Sequence, residues 1–166
     1  MKKYRLIAVD LDGTLLTNDK KVSKQNMYWI KRAEKSGIIL GLATGRGQLT
    51  SSKYWNVLRP TSPMILANGA EVWRNSKQVL HRELIDGDKI LELYKLAVEY
   101  GVDFWAHVSG DLIRKNEWQK KYSKDHQWLK FCMAHENNTI IAKLRKILFD
   151  AGDLGVTWSS SKMLEV

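Results

Sequence analysis

Cysteine, proline and long apolar runs are all scarce in this 166-residue chain. Cys132 is the single cysteine, so no disulfide can form within the chain, which suits a reducing cytoplasm and predicts a cytoplasmic protein. Met1-Lys2-Lys3 begins like a signal peptide, but Asp10 interrupts the following apolar run too early. No run approaches the roughly 20 apolar residues of a membrane-spanning helix, so we expect no membrane partner.

Acidic residues are scarce only in the first half of the chain. The whole chain carries 27 Lys and Arg against 18 Asp and Glu, a formal net charge of +9. Residues 1–80 hold 14 basic and 5 acidic residues, whereas residues 81–166 hold 13 of each. Such an excess suits nucleic acid, anionic lipid or a phosphorylated substrate.

The basic residues do not form a nucleic-acid site, because no basic run is interleaved with stacking aromatics. We therefore expect no nucleic-acid partner and interpret the excess as one solvated helix face. Its members are Lys20, Lys21, Lys24, Lys31, Arg32 and Lys35.

The most informative segment is Asp10-Leu11-Asp12-Gly13-Thr14, directly after the apolar run 6–9. The run predicts an interior strand of a parallel sheet, and ligands of such sheets bind beyond the carboxyl ends of the strands. Residues i and i+2 of extended chain point the same way, so the Asp10 and Asp12 side chains can converge on a hard cation such as Mg²⁺. Gly13 permits a sharp bend that brings backbone amides near a phosphate. A plain solvated turn and a calcium loop are the alternatives.

Three segments together resemble one family. Asp10 to Leu16, DLDGTLL, is similar to motif I of the haloacid dehalogenase (HAD) superfamily, and Thr44-Gly45-Arg46, after the predicted strand 38–43, is similar to motif II of its Cof-type phosphatases. Asn68-Gly69-Ala70, after residues 64–67, matches a third landmark of that branch. All three occur in the family's order, each at a predicted strand end.

The resemblance implies roles for individual residues. Asp10 would be the nucleophile that forms an aspartyl-phosphate, and Asp12 the general acid and base. Mg²⁺ would bind the Asp10 carboxylate and the Asp12 backbone carbonyl. Thr44 would hydrogen-bond the phosphoryl group, and Asn68 would lie near the site entrance. The residues expected around the phosphoryl group are Asp10, Leu11, Asp12, Gly13, Thr44 and Gly45.

Two further residues are candidate substrate contacts. Arg46 is either a surface arginine that begins the next helix or a contact to substrate. Trp105 lies on a predicted strand of the second half, where only alternate residues would face a cleft.

Two elements of the family pattern are missing from the chain: the lysine of motif III and the acidic motif IV. Gly152-Asp153 reads as a helix-ending turn, and Lys162 precedes the strand after which the family places its lysine. We therefore interpret the chain as the amino-terminal portion of a phosphatase, with impaired activity. Its motif I strand would have a bare apolar edge, which predicts self-association.

The element order predicts an α/β fold: an incomplete HAD-like (Rossmannoid) parallel-sheet core over residues 1–81, followed by an α+β C2-type cap over residues 82–166. Predicted helices cover residues 23–36, 48–58, 86–100 and 138–151; predicted strands cover 4–10, 38–43, 64–67, 71–73, 78–81, 102–108, 112–115, 128–134, 155–159 and 163–166.

The resemblance implies a Mg²⁺-dependent phosphomonoester hydrolase that acts on a small phosphorylated metabolite of the sugar phosphate class. Two alternatives remain: a phosphotransferase similar to phosphomannomutase, and a non-catalytic remnant that binds phosphate or a partner protein.

Overall fold

The computed structural model describes residues 4–59 and 62–166. Contacts divide the chain into two compact units, the first ending at Glu83 and the second beginning at Leu84. Each unit has its own five-stranded sheet and its own core. The expected mixed α/β fold with a parallel-containing sheet is confirmed.

The first unit alternates strands and helices before it ends in a hairpin. Its elements are β1 (Leu6–Val9), α1 (Lys24–Lys35), β2 (Ile39–Ala43), α2 (Gln48–Leu58), β3 (Met64–Leu66), β4 (Glu71–Asn75) and β5 (Gln78–Arg82). The sheet order is β1-β2-β3-β4-β5. Strands β1 to β3 pair in parallel and β4 and β5 are antiparallel, so the carboxyl ends of β1, β2 and β3 meet at one edge of the sheet.

Both helices of this unit pack on the same face of the sheet. Ile30 of α1 and Tyr54 of α2 share a buried cluster with Leu40 and Leu42 of β2. Side chains alternate between the faces of a strand, so Ile39 points the opposite way, and it is 42% exposed. Among the described residues, the second face of this sheet is therefore open and apolar.

The prediction that β1 is an interior strand is wrong for the described chain. It pairs only with β2, at one edge of the sheet. Leu6 and Ile7 are 54% and 40% exposed, although their aliphatic character is typical of a strand covered on both sides. The apolar run thus forms a bare sheet edge.

Local signals set the helix boundaries. The Ser23 side chain accepts a hydrogen bond from the Asn26 amide at the start of α1, as its capping position predicts. Helix α2 ends at Leu58, and the capping residue Arg59 adopts a left-handed conformation. Pro60, which the sequence suggests as the stop of this helix, lies outside the described residues.

The second unit is an antiparallel sheet with helices on one face. Its elements are α3 (Gly87–Glu99), β6 (Asp103–Val108), β7 (Asp111–Arg114), α4 (Trp118–Lys121), β8 (Trp128–Ala134), α5 (Asn138–Ala151), β9 (Thr157–Ser160) and β10 (Met163–Glu165). The sheet order is β7-β6-β8-β10-β9. Leu93 of α3 and Leu144 of α5 join Phe104, Phe131 and Leu164 in one buried core.

Helix α4 is a difference from the sequence-based expectation, which left residues 117–126 as a polar stretch. Trp118 anchors this short helix, because its ring stacks on Tyr94 and packs against Phe104. No helix of the described ranges has the length and apolar character needed to cross a bilayer.

Candidate functional site

The three motif segments lie at the carboxyl ends of neighbouring parallel strands. Asp10 follows β1, Thr44 follows β2 and Asn68 lies just beyond β3. The fold therefore brings together residues that are up to 58 positions apart in the sequence. This is the edge of an open α/β sheet where ligands bind.

The loop after β1 displays its polar residues and buries its apolar ones. Asp10 is in extended conformation, and the Leu16 amide then donates to the Leu11 carbonyl at 2.9 Å, which closes a wide turn. Gly13 makes this turn possible with a φ of +75°. Leu11 and Leu15 are buried in the core, so the turn is anchored from below while Asp10 and Asp12 stay exposed.

The Asp12 carboxylate is surrounded by two cations. Arg46 donates to both of its oxygens, at 2.5 Å from Nε and 2.8 Å from Nη2, and Lys20 Nζ lies 2.7 Å from Oδ1. Charge-assisted bidentate pairs of this kind favour the ionised carboxylate. The hydrogen bonds from Arg46, with a smaller contribution from Lys20, hold the pKa of Asp12 well below its usual range.

Arg46 is a half-buried residue with several contacts. Its side chain is only 20% exposed, and its Nη1 donates to the Thr50 carbonyl at 3.4 Å. Its guanidinium lies over the Tyr54 ring, 5.3 Å from the centroid. The pairing with Asp12 raises the pKa of Arg46. Arg46, which the sequence leaves open as a surface arginine or a substrate contact, is thus held by these contacts at the sheet edge where the motif segments meet.

The interpretation of Lys20 as part of a solvated helix face is wrong, because helix α1 begins only at Lys24. Lys20 lies in a turn closed by hydrogen bonds between Thr17 and Lys21, and its φ is +56°. The turn directs its ammonium group to Asp12.

Backbone hydrogen bonds join the ends of β2 and β3. The Ala67 amide donates to the Arg46 carbonyl at 2.9 Å, and the Asn68 amide donates to the Thr44 carbonyl at 3.3 Å. Thr44 is buried, and its Oγ1 accepts from the Arg46 amide at 3.3 Å. Asn68 is exposed in a left-handed conformation, with a φ of +57°. Thr44, Arg46 and Asn68 therefore form one continuous wall, with Gly45 between the first two.

Trp105 belongs to the second unit. It lies on β6 opposite Arg114 of β7, and both residues line a cleft of about 780 Å³ together with Asp103, Leu112 and Lys115. An aromatic face beside two cationic side chains can hold a planar or anionic group.

Hard oxygen ligands are concentrated at the end of β1. The Asp10 carboxylate and the Asp12 carbonyl are close in the chain, both on exposed residues. Mg²⁺ commonly takes one or two protein carboxylates and completes its shell with water and phosphate. These residues fit such an ion, although no group of three or more His, Cys, Asp and Glu lies together within residues 4–59 and 62–166.

Sequence reasoning missed two contributors, Lys20 and Tyr54. Lys20 is hidden among other lysines in the sequence, and its proximity to Asp12 depends on a turn with a positive φ. Tyr54 looks like an ordinary core residue of α2, and its two polar contacts come from segments before the helix begins. A single sequence carries no local signal for either arrangement.

Comparisons with known proteins agree with this architecture. The sequence profile of the haloacid dehalogenase-like hydrolases matches residues 7–154. The 5-amino-6-(5-phospho-D-ribitylamino)uracil phosphatase YcsE of Bacillus subtilis is 32% identical over 98% of this chain and 64% of its own length. The pyridoxal phosphate phosphatase YbhA of Escherichia coli is 29% identical over 69% of this chain and 46% of its own length. The chain thus spans less than two thirds of each of these relatives.

Solved structures show the same fold. A haloacid dehalogenase-like hydrolase from B. subtilis superposes with a TM-score of 0.84 at 17% identity, over 97% of this chain and 72% of that one. A second, from Bacteroides thetaiotaomicron, gives 0.80 at 21% identity, over 98% and 70%. Since the family profile covers far more than half of the sequence, and does so from β1 into the second unit, this chain belongs to the haloacid dehalogenase-like hydrolase family.

Proposed function

We propose that this protein is a phosphomonoester hydrolase that acts on a small phosphorylated metabolite. The observation that carries the proposal is the meeting of Asp10, Asp12, Thr44 and Arg46 at one sheet edge, where the Asp12 carboxylate is held by Arg46. A carboxylate nucleophile, a second carboxylate, a hydroxyl and a guanidinium are groups that phosphoryl transfer can use.

The chemistry divides into two displacements at phosphorus. A carboxylate oxygen of Asp10 attacks phosphorus, the bond to the leaving alkoxide breaks, and protonated Asp12 donates a proton to that oxygen. In the second step Asp12 removes a proton from water, the hydroxide attacks the Asp10 phosphoryl group, and the acyl phosphate bond breaks. Inorganic phosphate leaves, and the Asp10 carboxylate is restored.

Arg46 has to exchange partners during this cycle. While it donates to both oxygens of Asp12, the carboxylate stays ionised and cannot donate a proton. A bound phosphoryl group offers Arg46 a second anion to bind. Transfer of the guanidinium to phosphate oxygens would free Asp12 to take up the proton that the first step consumes.

The Asp10 carboxylate and the Asp12 backbone carbonyl would hold Mg²⁺. The ion supplies positive charge that offsets the repulsion between the phosphate and the attacking carboxylate. Thr44 Oγ1, which accepts from the Arg46 amide, would donate its own proton to a phosphoryl oxygen.

The second unit is proposed to be a C2-type cap, and Trp105, in the cleft of that unit, is proposed as a substrate contact. The proposed substrates are still of the sugar phosphate class. The names of the two relatives suggest two further candidates, a phosphorylated ribitylaminouracil and pyridoxal phosphate. A planar ring of this kind would stack on Trp105, in the cleft that Arg114 and Lys115 also line.

Phosphate release from three substrates tests the proposal: a phosphorylated ribitylaminouracil, pyridoxal phosphate and a hexose phosphate, each with Mg²⁺. We expect slow release by the wild type, in line with the impaired activity expected from the sequence, and none by Asp10→Asn. Trp105→Ala should raise KM for the ring-bearing substrates, whereas Trp158→Ala, an exposed aromatic of β9, should not. Absence of any release that depends on Asp10 would contradict the proposal.

The same assay separates the two alternatives. Transfer of the phosphoryl group to an added sugar rather than to water would identify a phosphotransferase. Phosphate binding by a folded chain, without turnover of any of the three substrates, would identify a binding remnant.

A further inference from the structure

Tyr54 of α2 contacts both segments whose cations surround Asp12. The residue is 3% exposed and part of the core of the first unit. Its ring lies beneath the Arg46 guanidinium and its hydroxyl donates to the Lys20 carbonyl at 3.0 Å. One buried side chain therefore touches the loop after β2 and the turn after the first motif.

The ring contact restrains the guanidinium. A cation within about 6 Å of an aromatic centroid is attracted to the ring face, and Arg46 lies at 5.3 Å. Lys53 Nζ is also near the ring, at 4.9 Å from the centroid. Arg46 additionally donates to the Thr50 carbonyl, one turn before Tyr54 on the same helix. Helix α2 thus sets the direction from which Arg46 approaches Asp12.

The hydroxyl contact restrains the turn. Lys20 has a φ of +56°, a conformation that an L-residue with a long side chain adopts only when its surroundings hold it there. Hydrogen bonds between Thr17 and the 20–21 segment close the turn from one side. The Tyr54 hydroxyl binds it from the other side and connects it to the core.

We propose that Tyr54 is a positioning residue that fixes Arg46 through its ring and the Lys20 turn through its hydroxyl, so that both cations are set around Asp12 before substrate binds. Neither contact involves a reacting atom. The inference rests on the proposed function only for the role of Asp12, because the position of each cation can be measured without turnover.

Two variants separate the ring from the hydroxyl. Tyr54→Phe keeps the aromatic face and removes only the bond to the Lys20 carbonyl. Pentafluorophenylalanine at position 54 also lacks the hydroxyl, but it reverses the negative charge of the ring face, so its difference from Tyr54→Phe reports the attraction of the ring for Arg46. Trp55→Phe is the matched control, since Trp55 is a buried aromatic of the same helix that packs on Trp73.

The quantity measured is the rate of hydrogen exchange, which is monitored by NMR. The Arg46 Nε–H should exchange slowly, and its signal is assigned by its loss in Arg46→Lys. We expect Tyr54→Phe to leave this exchange within about twofold of wild type and to speed exchange of the Lys20 amide about fivefold, as loss of one hydrogen bond predicts. The fluorinated ring should speed Arg46 Nε–H exchange about fivefold as well. Trp55→Phe should change neither rate.

Titration with inorganic phosphate adds a measurement that a general loss of stability would not change. Phosphate should perturb the Arg46 Nε–H signal in wild type and in Tyr54→Phe, and the variant with the fluorinated ring should bind it several-fold more weakly than Tyr54→Phe while its melting temperature stays close to that of Trp55→Phe. Unchanged Lys20 exchange in Tyr54→Phe would overturn the role of the hydroxyl. Unchanged Arg46 exchange with the fluorinated ring would overturn the role of the ring. Either result could occur in an active enzyme, so it leaves the proposed function standing.

Discussion

Arg46 and Asp12 are 34 residues apart in the sequence and form a bidentate ion pair, with N–O distances of 2.5 and 2.8 Å. The pair joins the loop after β1 to the loop after β2, directly across the sheet edge where the motif segments meet. Its members are the second carboxylate and the guanidinium of the proposed phosphatase. Its strength consequently sets both the protonation of Asp12 and the availability of Arg46.

The first prediction concerns the titration of Asp12. Arg46→Ala removes the largest cause of the depressed pKa, so the midpoint of the Asp12 carboxyl should move upward, toward its ordinary value of 3.8. Because the native pKa is lowered, the stabilisation by this pair is complete above the ordinary value of 3.8 and is lost as the pH falls from there through the lower native pKa. Carboxyl ¹³C NMR of both proteins measures the shift, and Arg74→Ala, an exposed arginine of β4, is the control. Coincident midpoints would contradict the ion pair.

The second prediction concerns His107 of β6. Burial, and to a smaller extent the charge of Lys130, lowers its pKa to about 4 from an ordinary 6.5, while Glu165 acts in the opposite direction. The unfolded chain therefore binds more protons between these values, so the stability contributed by neutral His107 is complete above pH 6.5 and is lost as the pH falls toward 4.

Urea unfolding at a series of pH values measures this dependence. The loss for wild type should be at most roughly 3 kcal/mol, and His107→Gln should remove most of the slope. His81→Gln is the control, because His81 is largely exposed on β5. A slope that survives in His107→Gln would show that another group is responsible.

The third prediction concerns Gly13. Its φ of +75° suits glycine, while an added Cβ would meet no atom within 4 Å, so Gly13→Ala tests backbone strain alone. The variant should lose about 1 kcal/mol of unfolding free energy, together with most phosphate release. Gly155→Ala is the matched control, since that glycine is equally open and has no positive φ. Equal effects of the two substitutions would argue against a strained turn.

The fourth prediction concerns the bare sheet edge. Leu6 is 54% exposed on β1, which has no strand on its outer side among the described residues. Open apolar edges pair with other chains, so we expect wild type to self-associate as its concentration rises, and Leu6→Lys to reduce this. Sedimentation velocity gives the measurement. Val98→Lys, which places the same charge on an exposed position of α3, should leave the association unchanged.

The sequence predicts the elements well because each carries a local signal. Ser23 and Asp86 each accept a capping hydrogen bond at the predicted start of their helices. Strand β8 and helix α5 have the predicted bounds, since their apolar patterns are long and regular. The two strands after Gly152 are shorter than predicted, because the exposed β9 has no apolar pattern to mark its start.

What the sequence could not provide was the set of neighbours of each motif residue. Asp12 was predicted as a reacting group, but its partners Arg46 and Lys20 depend on strand order and on a turn with an unusual backbone angle. The bare edge of β1 was expected from the family pattern alone, because the apolar run by itself predicts an interior strand. An apolar run shows that a strand suits a buried position, whereas its burial depends on what lies on either side.

The backbone bonds between the ends of β2 and β3 restrict how this family member could diversify. Arg46 is held there through its main chain, so replacing the side chain at position 68 need not displace the guanidinium. The left-handed angle at that position nevertheless favours Asn, Asp and Gly and opposes β-branched residues. Few residue types are therefore compatible with position 68 at the rim of this site, and most new substrate selectivity would have to arise elsewhere in the chain.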